Sequence, residues 1–328
     1  MMYILTERYI RKTQEITGGI SLPIGLITRG VGGSYNVVVG NDIYECKPRG
    51  IFRKKGIVPL PGDNVEISIL DNEDYIGVIE KISERTSCLI RPSIANANKL
   101  VVVISAASPK PDLMLLDKLL IMGEKSEIEP IICVNKIDID NDDVFKNVYD
   151  IYSKKCGYDV MAICAKTEIG IPELAKMLRQ GLVVFAGQSG VGKSTILNVI
   201  FESEVMKTGE VSSKIQRGKH TTRHVELLDL PGGGYIADTP GFTSFDITDI
   251  TIDELQLYYP DYTDKTESCR FKGCRHLEEP GCAIKTAVKN GEIDKGRYDR
   301  YVALCTVLKD IKSYETKHEK YSDTKGKK

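Results

Sequence analysis

The chain contains the segment Gly187-Gln188-Ser189-Gly190-Val191-Gly192-Lys193-Ser194-Thr195, which follows the apolar run Leu182–Ala186. The segment matches the pattern G-x-x-x-x-G-K-S and stands between a predicted strand and a predicted helix. In this context backbone N–H groups surround nucleotide phosphates, and the helix N-terminus adds a favourable dipole. We expect Lys193 to reach the β- and γ-phosphates and the Ser194 hydroxyl to bind Mg²⁺. The segment therefore predicts a phosphate-binding loop in an α/β fold.

A second motif, Asn135-Lys136-Ile137-Asp138, follows the apolar run at residues 129–134. A carboxylate at the position of Asp138 can accept hydrogen bonds from N1–H and from the 2-amino group of guanine. Adenine lacks both donors, so a site of this kind rejects ATP strongly. The motif follows a predicted buried strand, and α/β sheets bind ligands at the C-terminal ends of their strands. All four residues are therefore candidates for guanine binding.

The segment Cys164-Ala165-Lys166 follows the predicted strand at residues 160–163 and is similar to the second base-contacting loop of GTPases. We expect the backbone of Ala165 and the aliphatic stem of Lys166 to pack against the guanine. Cys164 occupies a position where serine is usual. We expect this difference to have little effect, because Ala165 and Lys166 carry the contact.

The order of these motifs is the reverse of the order in ordinary small GTPases, in which the phosphate loop comes first. A circular permutation accounts for the order, since it keeps the three-dimensional site and moves the chain ends. The segment that follows the phosphate-sensing switch then continues directly into another domain.

The segment Asp238-Thr239-Pro240-Gly241 follows the predicted strand at residues 235–237. Asp238 is a candidate to hold Mg²⁺ through water, and the Gly241 N–H can bind the γ-phosphate. An Asp-x-x-Gly sequence alone is a common turn, but its position downstream of a phosphate loop indicates a switch. Thr222, or its neighbour Thr221, is expected to bind magnesium from the loop at residues 217–223.

The residue that would orient the attacking water does not follow from the usual motif. Many GTPases carry glutamine directly after the Asp-x-x-Gly motif, whereas this chain carries Phe242, which cannot orient water. His220 is the nearest candidate, so His220, Thr222 and Lys193 form the expected catalytic set. The alternative is that His220 is an exposed loop histidine that contacts RNA or nothing.

Cys269, Cys274, His276 and Cys282 provide three thiols and one imidazole within fourteen residues. These four ligands complete a tetrahedral shell without an open position, which is typical of structural zinc. The other six cysteines are scattered along the chain. The pattern favours a reducing cytoplasm with one metal site over a disulfide framework.

The N-terminal part has five short β-rich segments separated by glycine and proline, at residues 25–28, 34–39, 42–46, 65–69 and 77–79. Such a pattern predicts a small closed barrel of the OB type, although periodicity does not separate it from an SH3-like barrel. Residues 46–55, here called the basic segment, carry five positive charges, no negative charge and one phenylalanine. On a barrel, this composition suits contact with an RNA backbone.

The central part alternates strands with helices, which predicts a mainly parallel sheet. The predicted strands are residues 99–106, 129–134, 160–164 and 182–186, the predicted helices are 113–125 and 171–180, and residues 224–237 form a hairpin. A helical pattern at residues 297–313 and a lysine-rich tail at 317–328 follow the cysteine cluster.

The 328 residues therefore predict three domains, with boundaries near 92 and 247. Residues 1–92 would form the OB-like RNA-binding barrel, with 1–20 as an unassigned extension. Residues 93–247 would form the circularly permuted α/β P-loop GTPase domain. Residues 248–328 would form a mainly helical zinc-binding domain.

Composition limits the possible partners. Hydrophobic residues make up 41% of the chain and charged residues 28%, which is typical of a soluble globular protein. The formal net charge is -1, so nucleic-acid contacts must come from local basic patches. No apolar run is long enough to span a bilayer, and the first residues lack a signal-peptide pattern, which predicts a cytoplasmic protein without membrane contact.

The combined organisation resembles the RsgA family, the small-subunit-dependent GTPases of bacterial ribosome assembly. The resemblance covers about residues 25–308 and includes the nucleotide motifs and the stretches at 49–54, 89–96 and 115–118. It implies GTP hydrolysis to GDP stimulated by the 30S subunit, 16S rRNA binding, a role in late small-subunit maturation, one zinc ion and a cytoplasmic monomer. Phe242 matches a hydrophobic replacement found in this family.

Two other functions each fit part of the sequence. A nucleotide-dependent RNA-binding switch would act by occupancy, with hydrolysis only resetting it. A metabolic kinase would use the phosphate loop but would leave Asp138 and the cysteine cluster unexplained.

Overall fold

The computed structural model describes residues 22–208, 225–230, 232–238 and 247–325. Its first part is a five-stranded barrel made of β1 (Ile24–Val31), β2 (Ser34–Val39), β3 (Asp42–Pro48), β4 (Asn64–Asp71) and β5 (Ile76–Ile82). The strands follow the order β1-β2-β3-β5-β4, and β4 pairs back onto β1. β3 and β5 are parallel, and the helix Gly50–Lys54 lies in the connection between β3 and β4. This arrangement confirms the OB type and excludes the SH3-like alternative.

Alternation of side chains explains why these segments form strands. Inward-facing residues fill the barrel, and their outward neighbours are exposed or half-buried. The barrel core includes Ile27, Val37, Cys46, Val65, Ile67 and Ile79. A short hairpin follows, formed by β6 (Cys88–Leu89) and β7 (Ile94–Ala95).

The central domain contains a six-stranded sheet. Its strands are β8 (Ala97–Ser105), β9 (Glu129–Asn135), β10 (Asp159–Ala162), β11 (Leu182–Ala186), β12 (Glu226–Asp229) and β13 (Tyr235–Asp238). The order is β10-β9-β8-β11-β13-β12, and only β12 is antiparallel to its neighbour. The strand that precedes the phosphate loop therefore lies in the middle of the sheet, between β8 and β13.

Both faces of this sheet are covered, which makes every β8 side chain from Leu100 to Ser105 buried. Leu100, Val102 and Ile104 pack on one face beside the helix Leu113–Lys125. Val101 and Val103 pack on the other face, beside the helices Ile171–Leu178 and Lys193–Thr208. Further short helical segments are Ile137–Ile139, Val144–Val148 and Tyr149–Ser153.

The barrel and the central sheet are joined through a strand pairing. β12 pairs antiparallel with β1 through Arg29 and Glu226, so the barrel continues the edge of the sheet. Asp63, which is fully buried, accepts two hydrogen bonds from the Arg85 guanidinium, at 2.7 and 2.8 Å. This ion pair fixes the connection that leads from the barrel into the central domain.

Residues 247–325 form a third unit, here called the C-terminal module. Its helical segments are Leu255–Tyr258, Pro260–Tyr262, Thr263–Thr266, Ala283–Lys289 and Lys295–Lys325. The last helix starts two residues before the predicted pattern and continues across the lysine-rich segment, because no proline or glycine interrupts residues 297–325. No helix in the described ranges is long and apolar enough to cross a membrane.

The helix Leu113–Lys125 belongs to two cores at once. Leu116, Leu119 and Leu120 pack into the core of the central domain. Ile121, and Met114 in part, pack instead into the core of the C-terminal module. At the end of the helix, Lys125 bonds the backbone and carboxylate of Asp249. The module is therefore packed onto the central domain rather than tethered to it.

The centre of this interface is a buried group of charges around Asp117. Its carboxylate receives Arg297 Nη1 at 2.5 Å, Arg300 Nε at 2.5 Å and the Tyr152 hydroxyl at 2.7 Å. Arg297 Nε also donates to Asp261 Oδ1 of the C-terminal module at 3.2 Å. Burial alone would lower the pKa of Arg297, but the two carboxylates raise it well above its ordinary value. The guanidinium therefore stays charged inside the interface.

We predict that Asp117→Asn lowers the free energy of unfolding by about 3–5 kcal/mol, because it leaves Arg297 buried without a full counter-charge. Denaturant-induced unfolding followed by circular dichroism measures this change. Asp299→Asn is the control, since Asp299 pairs with Lys295 at the surface of the same helix. That substitution should change the free energy by less than about 0.5 kcal/mol. Equal effects of the two substitutions would contradict the role assigned to Asp117.

Candidate functional site

The phosphate loop follows β11 and leads into the helix Lys193–Thr208, as the sequence predicts. Gly187, Gly190 and Gly192 all have positive φ angles. A Cβ atom at Gly187 would lie 2.1 Å from the Val103 carbonyl oxygen of β8, and one at Gly192 would lie 2.4 Å from Asn135 Nδ2. Both positions therefore require glycine, because larger residues would push the loop away from the sheet and from the guanine motif.

Lys193 is folded over the loop. Its ammonium donates to the carbonyl oxygens of Gly187 at 2.7 Å and Gln188 at 2.8 Å. Burial lowers the pKa of Lys193. Ser194 and Thr195 follow it in the first turn of the helix, and both are exposed to solvent. A cation and a hydroxyl are thus available at the mouth of a loop whose backbone N–H groups are suited to anions.

Asn135 connects the two motifs that the chain order separates. Its side chain is buried, and Nδ2 donates to the Val191 carbonyl of the phosphate loop at 2.9 Å. Its Oδ1 accepts a hydrogen bond from the Ala165 backbone N–H at 3.1 Å. One amide group therefore fixes the guanine motif, the phosphate loop and the second base-contacting loop at residues 164–166 relative to each other.

Lys136 closes the rim of the site between the phosphate loop and the loop at residues 105–112. The residue has a left-handed backbone conformation with φ 66°, and Nζ donates to the carbonyls of Ser108 and Gly190. At the other end of this loop, the Asp112 N–H donates to Gln188 Oε1 at 3.3 Å. The sequence pattern does not indicate these contacts, because each joins a side chain to a backbone group far away along the chain.

Asp138 lies in the short helix Ile137–Ile139, with its carboxylate exposed at the end of β9. Cys164 is buried beneath it, and its thiol donates to Asp138 Oδ1 at 3.2 Å. Cys164 therefore holds the carboxylate expected to recognise guanine, a contact that the sequence analysis did not foresee. Lys166 is exposed next to Ala165 at the same edge of the sheet.

Asp238 is the last residue of β13 and is half-buried. β13 is parallel to β11, so Asp238 and the phosphate loop follow the same edge of the sheet. His220, Thr221, Thr222, Gly241 and Phe242 lie outside the described residues. Their expected roles in catalysis, magnesium binding and phosphate sensing stay predictions.

The four metal-binding candidates converge in the C-terminal module. One ligand atom from each of Cys269, Cys274, His276 and Cys282 lies within 4.8 Å of all the others. His276 Nδ1 is 3.3 Å from Cys282 Sγ and 3.6 Å from Cys269 Sγ. With Zn–S bonds of about 2.3 Å, a tetrahedral shell requires donor separations of this order.

The surroundings of the cluster also suit a divalent cation. Backbone N–H groups of Ala283 and Lys285 point at the sulfur atoms of Cys269 and Cys282, at 3.3 and 3.5 Å. Burial raises the pKa of the Cys274 thiol to about 12 and lowers the pKa of His276. His276 is thus available as a neutral imidazole, and a bound cation would supply the charge that stabilises thiolates at this buried position. The donor set therefore fits zinc.

Gln256 fixes which nitrogen of His276 faces the cluster. Its amide Nε2 donates to the Asp253 carbonyl at 3.2 Å, which leaves Oε1 to accept from His276 Nε2–H at 2.8 Å. The Nδ1 lone pair then points toward the sulfur atoms. Gln256 lies outside the Cys/His pattern, so sequence spacing gave no sign of this role.

These features define a class of protein: a P-loop GTPase with circularly permuted motifs, an N-terminal OB-type barrel and a C-terminal Cys/His module. The RsgA GTPase family model matches residues 82–248, and the RsgA N-terminal domain model matches residues 24–79. The chain belongs to the RsgA GTPase family and is a GTP hydrolase.

Two bacterial relatives match about nine tenths of this chain. The "Small ribosomal subunit biogenesis GTPase RsgA" of Ruminiclostridium cellulolyticum is 52% identical over 298 residues, which cover 90% of this chain and 97% of that protein. The protein of the same name from Bacillus subtilis is 42% identical, with 89% of this chain and 99% of that protein covered.

Two solved structures are also similar. YjeQ from Thermotoga maritima superposes with a TM-score of 0.76 at 34% identity and covers 87% of this chain and 98% of its own. YloQ, described as a circularly permuted GTPase, superposes with a TM-score of 0.72 at 39% identity, with 88% of this chain and 96% of its own covered. The permuted fold predicted from the motif order is thereby confirmed.

We predict that Gln256→Leu weakens zinc affinity by about 10–100-fold, because the loss of an outer hydrogen bond frees the imidazole ring. Competition against a chromophoric chelator measures the affinity. Gln180→Leu is the control, since Gln180 is exposed and remote from the cluster. Unchanged zinc affinity in Gln256→Leu would show that the hydrogen bond to His276 does not orient the ligand.

Proposed function

We propose that this protein binds the small ribosomal subunit and hydrolyses GTP in a subunit-stimulated manner during late 30S maturation. The observation that carries the proposal is the junction at Asn135, which connects the guanine motif to the phosphate loop despite their permuted order. The printed names of the relatives, which describe GTPases of small-subunit biogenesis, supply the biological setting.

Each motif has a proposed part in binding the nucleotide. Asn135, Lys136, Ile137 and Asp138 form the base site with Ala165 and Lys166, and Gly187 to Thr195 surround the phosphates. Ser194 and Thr222 bind Mg²⁺ directly, Asp238 binds it through water, and Gly241 contacts the γ-phosphate. His220 orients the attacking water, since Phe242 has no polar group to do so. Lys193 stabilises the charge that develops on the transferred phosphoryl group.

The structural metal is proposed to be one zinc ion in the Cys269, Cys274, His276 and Cys282 cluster. A closed shell of protein ligands holds the loops of the C-terminal module together and leaves no position for a substrate. Zinc therefore contributes to folding, and the chemistry takes place at the nucleotide site.

The partner on the subunit is proposed to be 16S rRNA, contacted by the barrel through its basic segment. In this segment Arg53, Lys54 and Lys55 are exposed, and no ion pair involving them is found among the described residues.

The domains are proposed to divide near residues 92 and 247. We further propose that the protein acts in the cytoplasm as a monomer.

The base assignment gives a specificity test. Asp138→Asn should weaken GTP binding by about 100-fold, because two hydrogen bonds to a charged acceptor are lost. It should favour xanthosine triphosphate, whose 2-oxo group can accept a hydrogen bond from the new amide. Competition binding with both nucleotides measures this exchange, and Asp140→Asn serves as the control outside the motif. A variant that kept full GTP preference would refute the assignment.

The activity itself is tested by adding purified 30S subunits to the protein and following phosphate release from GTP. We expect turnover to rise many-fold with subunits, and Lys193→Ala to abolish it by removing charge stabilisation at the phosphates. His220→Ala should retain GTP binding and lose most of the stimulation. A turnover rate that does not change when 30S subunits are added would contradict the proposed function. Full stimulation in His220→Ala would show that a group other than His220 orients the attacking water.

Binding to RNA should weaken with salt, because phosphate contacts release counterions. Replacing Arg53, Lys54 and Lys55 together with alanine should lower the slope of log affinity against log salt by about 2 units. The measurement is a titration of 16S rRNA at several salt concentrations. The control replaces Lys110, Lys118 and Lys146 with alanine, which removes the same amount of positive charge. An unchanged slope in the basic-segment variant would place the RNA contact elsewhere.

A further inference from the structure

The OB-type barrel has two ends of opposite charge, and the strand directions separate them. β3 ends at Pro48 and leads into the positive residues of the basic segment. β3 begins at Asp42, and its parallel neighbour β5 begins at Ile76. β4 runs in the other direction and ends at Asp71. The starts of β3 and β5 and the end of β4 therefore lie together at the end opposite the basic segment.

This second end, here called the acidic tip, consists of residues 40–45 and 69–76. It contains Asp42, Glu45, Asp71, Glu73 and Asp74, and neither stretch contains lysine or arginine. β1 pairs with β12 at Arg29, in the row of the sheet that contains Asn36 and Glu45, so Asp42 and Ile43 lie farther from this pairing than Glu45 does. No cation lies within these two stretches, and the cations of β3 and β5, Lys47 and Lys81, lie toward the other end of their strands.

Large apolar side chains are exposed at the same end of the barrel. Leu70 is 67% exposed, Ile43 49%, Tyr75 45% and Ile76 42%. In the sheet register, Ile76 lies opposite Glu45 on one side and Asp71 on the other. The apolar and acidic side chains are thus interleaved on neighbouring strands, and exposed apolar surface of this kind marks interaction sites.

The turn that carries these groups is built from defined contacts. Asp71 Oδ1 accepts the backbone N–H groups of Glu73 and Asp74, at 2.8 and 3.0 Å. The Tyr44 hydroxyl donates to Asn72 Oδ1 at 3.0 Å, and the Tyr44 and Tyr75 rings pack edge to face at 5.6 Å. Asp71 is therefore used in holding the turn, whereas the Glu73 and Asp74 side chains are exposed to solvent.

We propose that the acidic tip is a docking surface for a lysine- or arginine-rich polypeptide segment that also carries apolar side chains. The carboxylates match basic side chains, and Leu70, Ile43 and Ile76 supply apolar contact between them. OB barrels commonly use the loop between β4 and β5 for nucleic acid. In this chain Glu73 and Asp74 lie in that loop and Asp71 ends β4 directly before it, and these three carboxylates repel a phosphate backbone. The barrel can then contact RNA at its basic end and a basic protein at its acidic end.

The test uses the full chain and two fluorescent probes, a short peptide of alternating lysine and leucine and a uridine oligonucleotide. Glu73→Lys with Asp74→Lys should weaken peptide binding by about tenfold, through loss of attraction and added repulsion. Leu70→Ser should weaken it through loss of apolar contact. The control is Glu173→Lys with Glu202→Lys, an equal charge change on exposed residues of the central domain, which should leave peptide binding unchanged. Oligonucleotide binding should not weaken in either tip variant.

Peptide binding by the tip variants that equals that of the control would overturn the proposal. Loss of oligonucleotide binding in the tip variants would overturn it too, because the surface would then be an RNA contact. Peptide binding that appears only after residues 1–21 are removed would make the chain's own N-terminal segment the occupant, which also excludes an external partner.

If the basic protein belongs to the small subunit, which rests on the proposed function, Glu73→Lys with Asp74→Lys should weaken binding to 30S subunits and not to protein-free 16S rRNA. Equal weakening with both would reject a protein partner there. Wild-type protein that fails to bind 30S subunits, yet binds the peptide at the tip, would count against the proposed function and leave the docking surface in place.

Discussion

The buried carboxylate of Asp117 is the contact on which the arrangement of the molecule depends. It joins a helix of the central domain to two arginines of the C-terminal helix, and Arg297 also pairs with Asp261 of the C-terminal module. Removing one member of such a group leaves an unpaired charge in a dry interface, which is far more costly than losing a surface pair. The central domain and the C-terminal module therefore act as one body, and the helix Leu113–Lys125 is shared between their cores.

The circular permutation also links the nucleotide site to the C-terminal module. Residues 239–246 connect Asp238 directly to the C-terminal module, so the switch leads into the module by covalent connection. The helix Leu113–Lys125 provides the second connection, because Asp112 at its start contacts Gln188 of the phosphate loop. The module is thus connected to the nucleotide site by two routes, and either can carry the influence of a partner bound to it.

The sequence predicted what depends on local pattern. The β-barrel strands, the parallel sheet, the phosphate loop and the Cys/His spacing all have short-range signals, and the structure contains them. The remaining features depend on residues far apart in the chain. Asp117 meets Arg297 across 180 residues, Gln256 meets His276 from outside the metal motif, and the parallel β3–β5 pair is not a hairpin. The sequence predicted little effect of Cys164, because the expected contacts with guanine belong to Ala165 and Lys166. In the structure the Cys164 thiol donates a hydrogen bond to Asp138.

The most direct test that the two units form one body is hydrogen–deuterium exchange on protein loaded with zinc, before and after a chelator is added. After chelation we expect faster exchange in the helix Leu113–Lys125 as well as around the cluster, because loosening the C-terminal module frees the Asp117 group and the side chains packed against Ile121. None of the four candidate ligands lies on this helix. Faster exchange confined to residues 247–325, with the helix unchanged, would contradict the claim that the two units form one body.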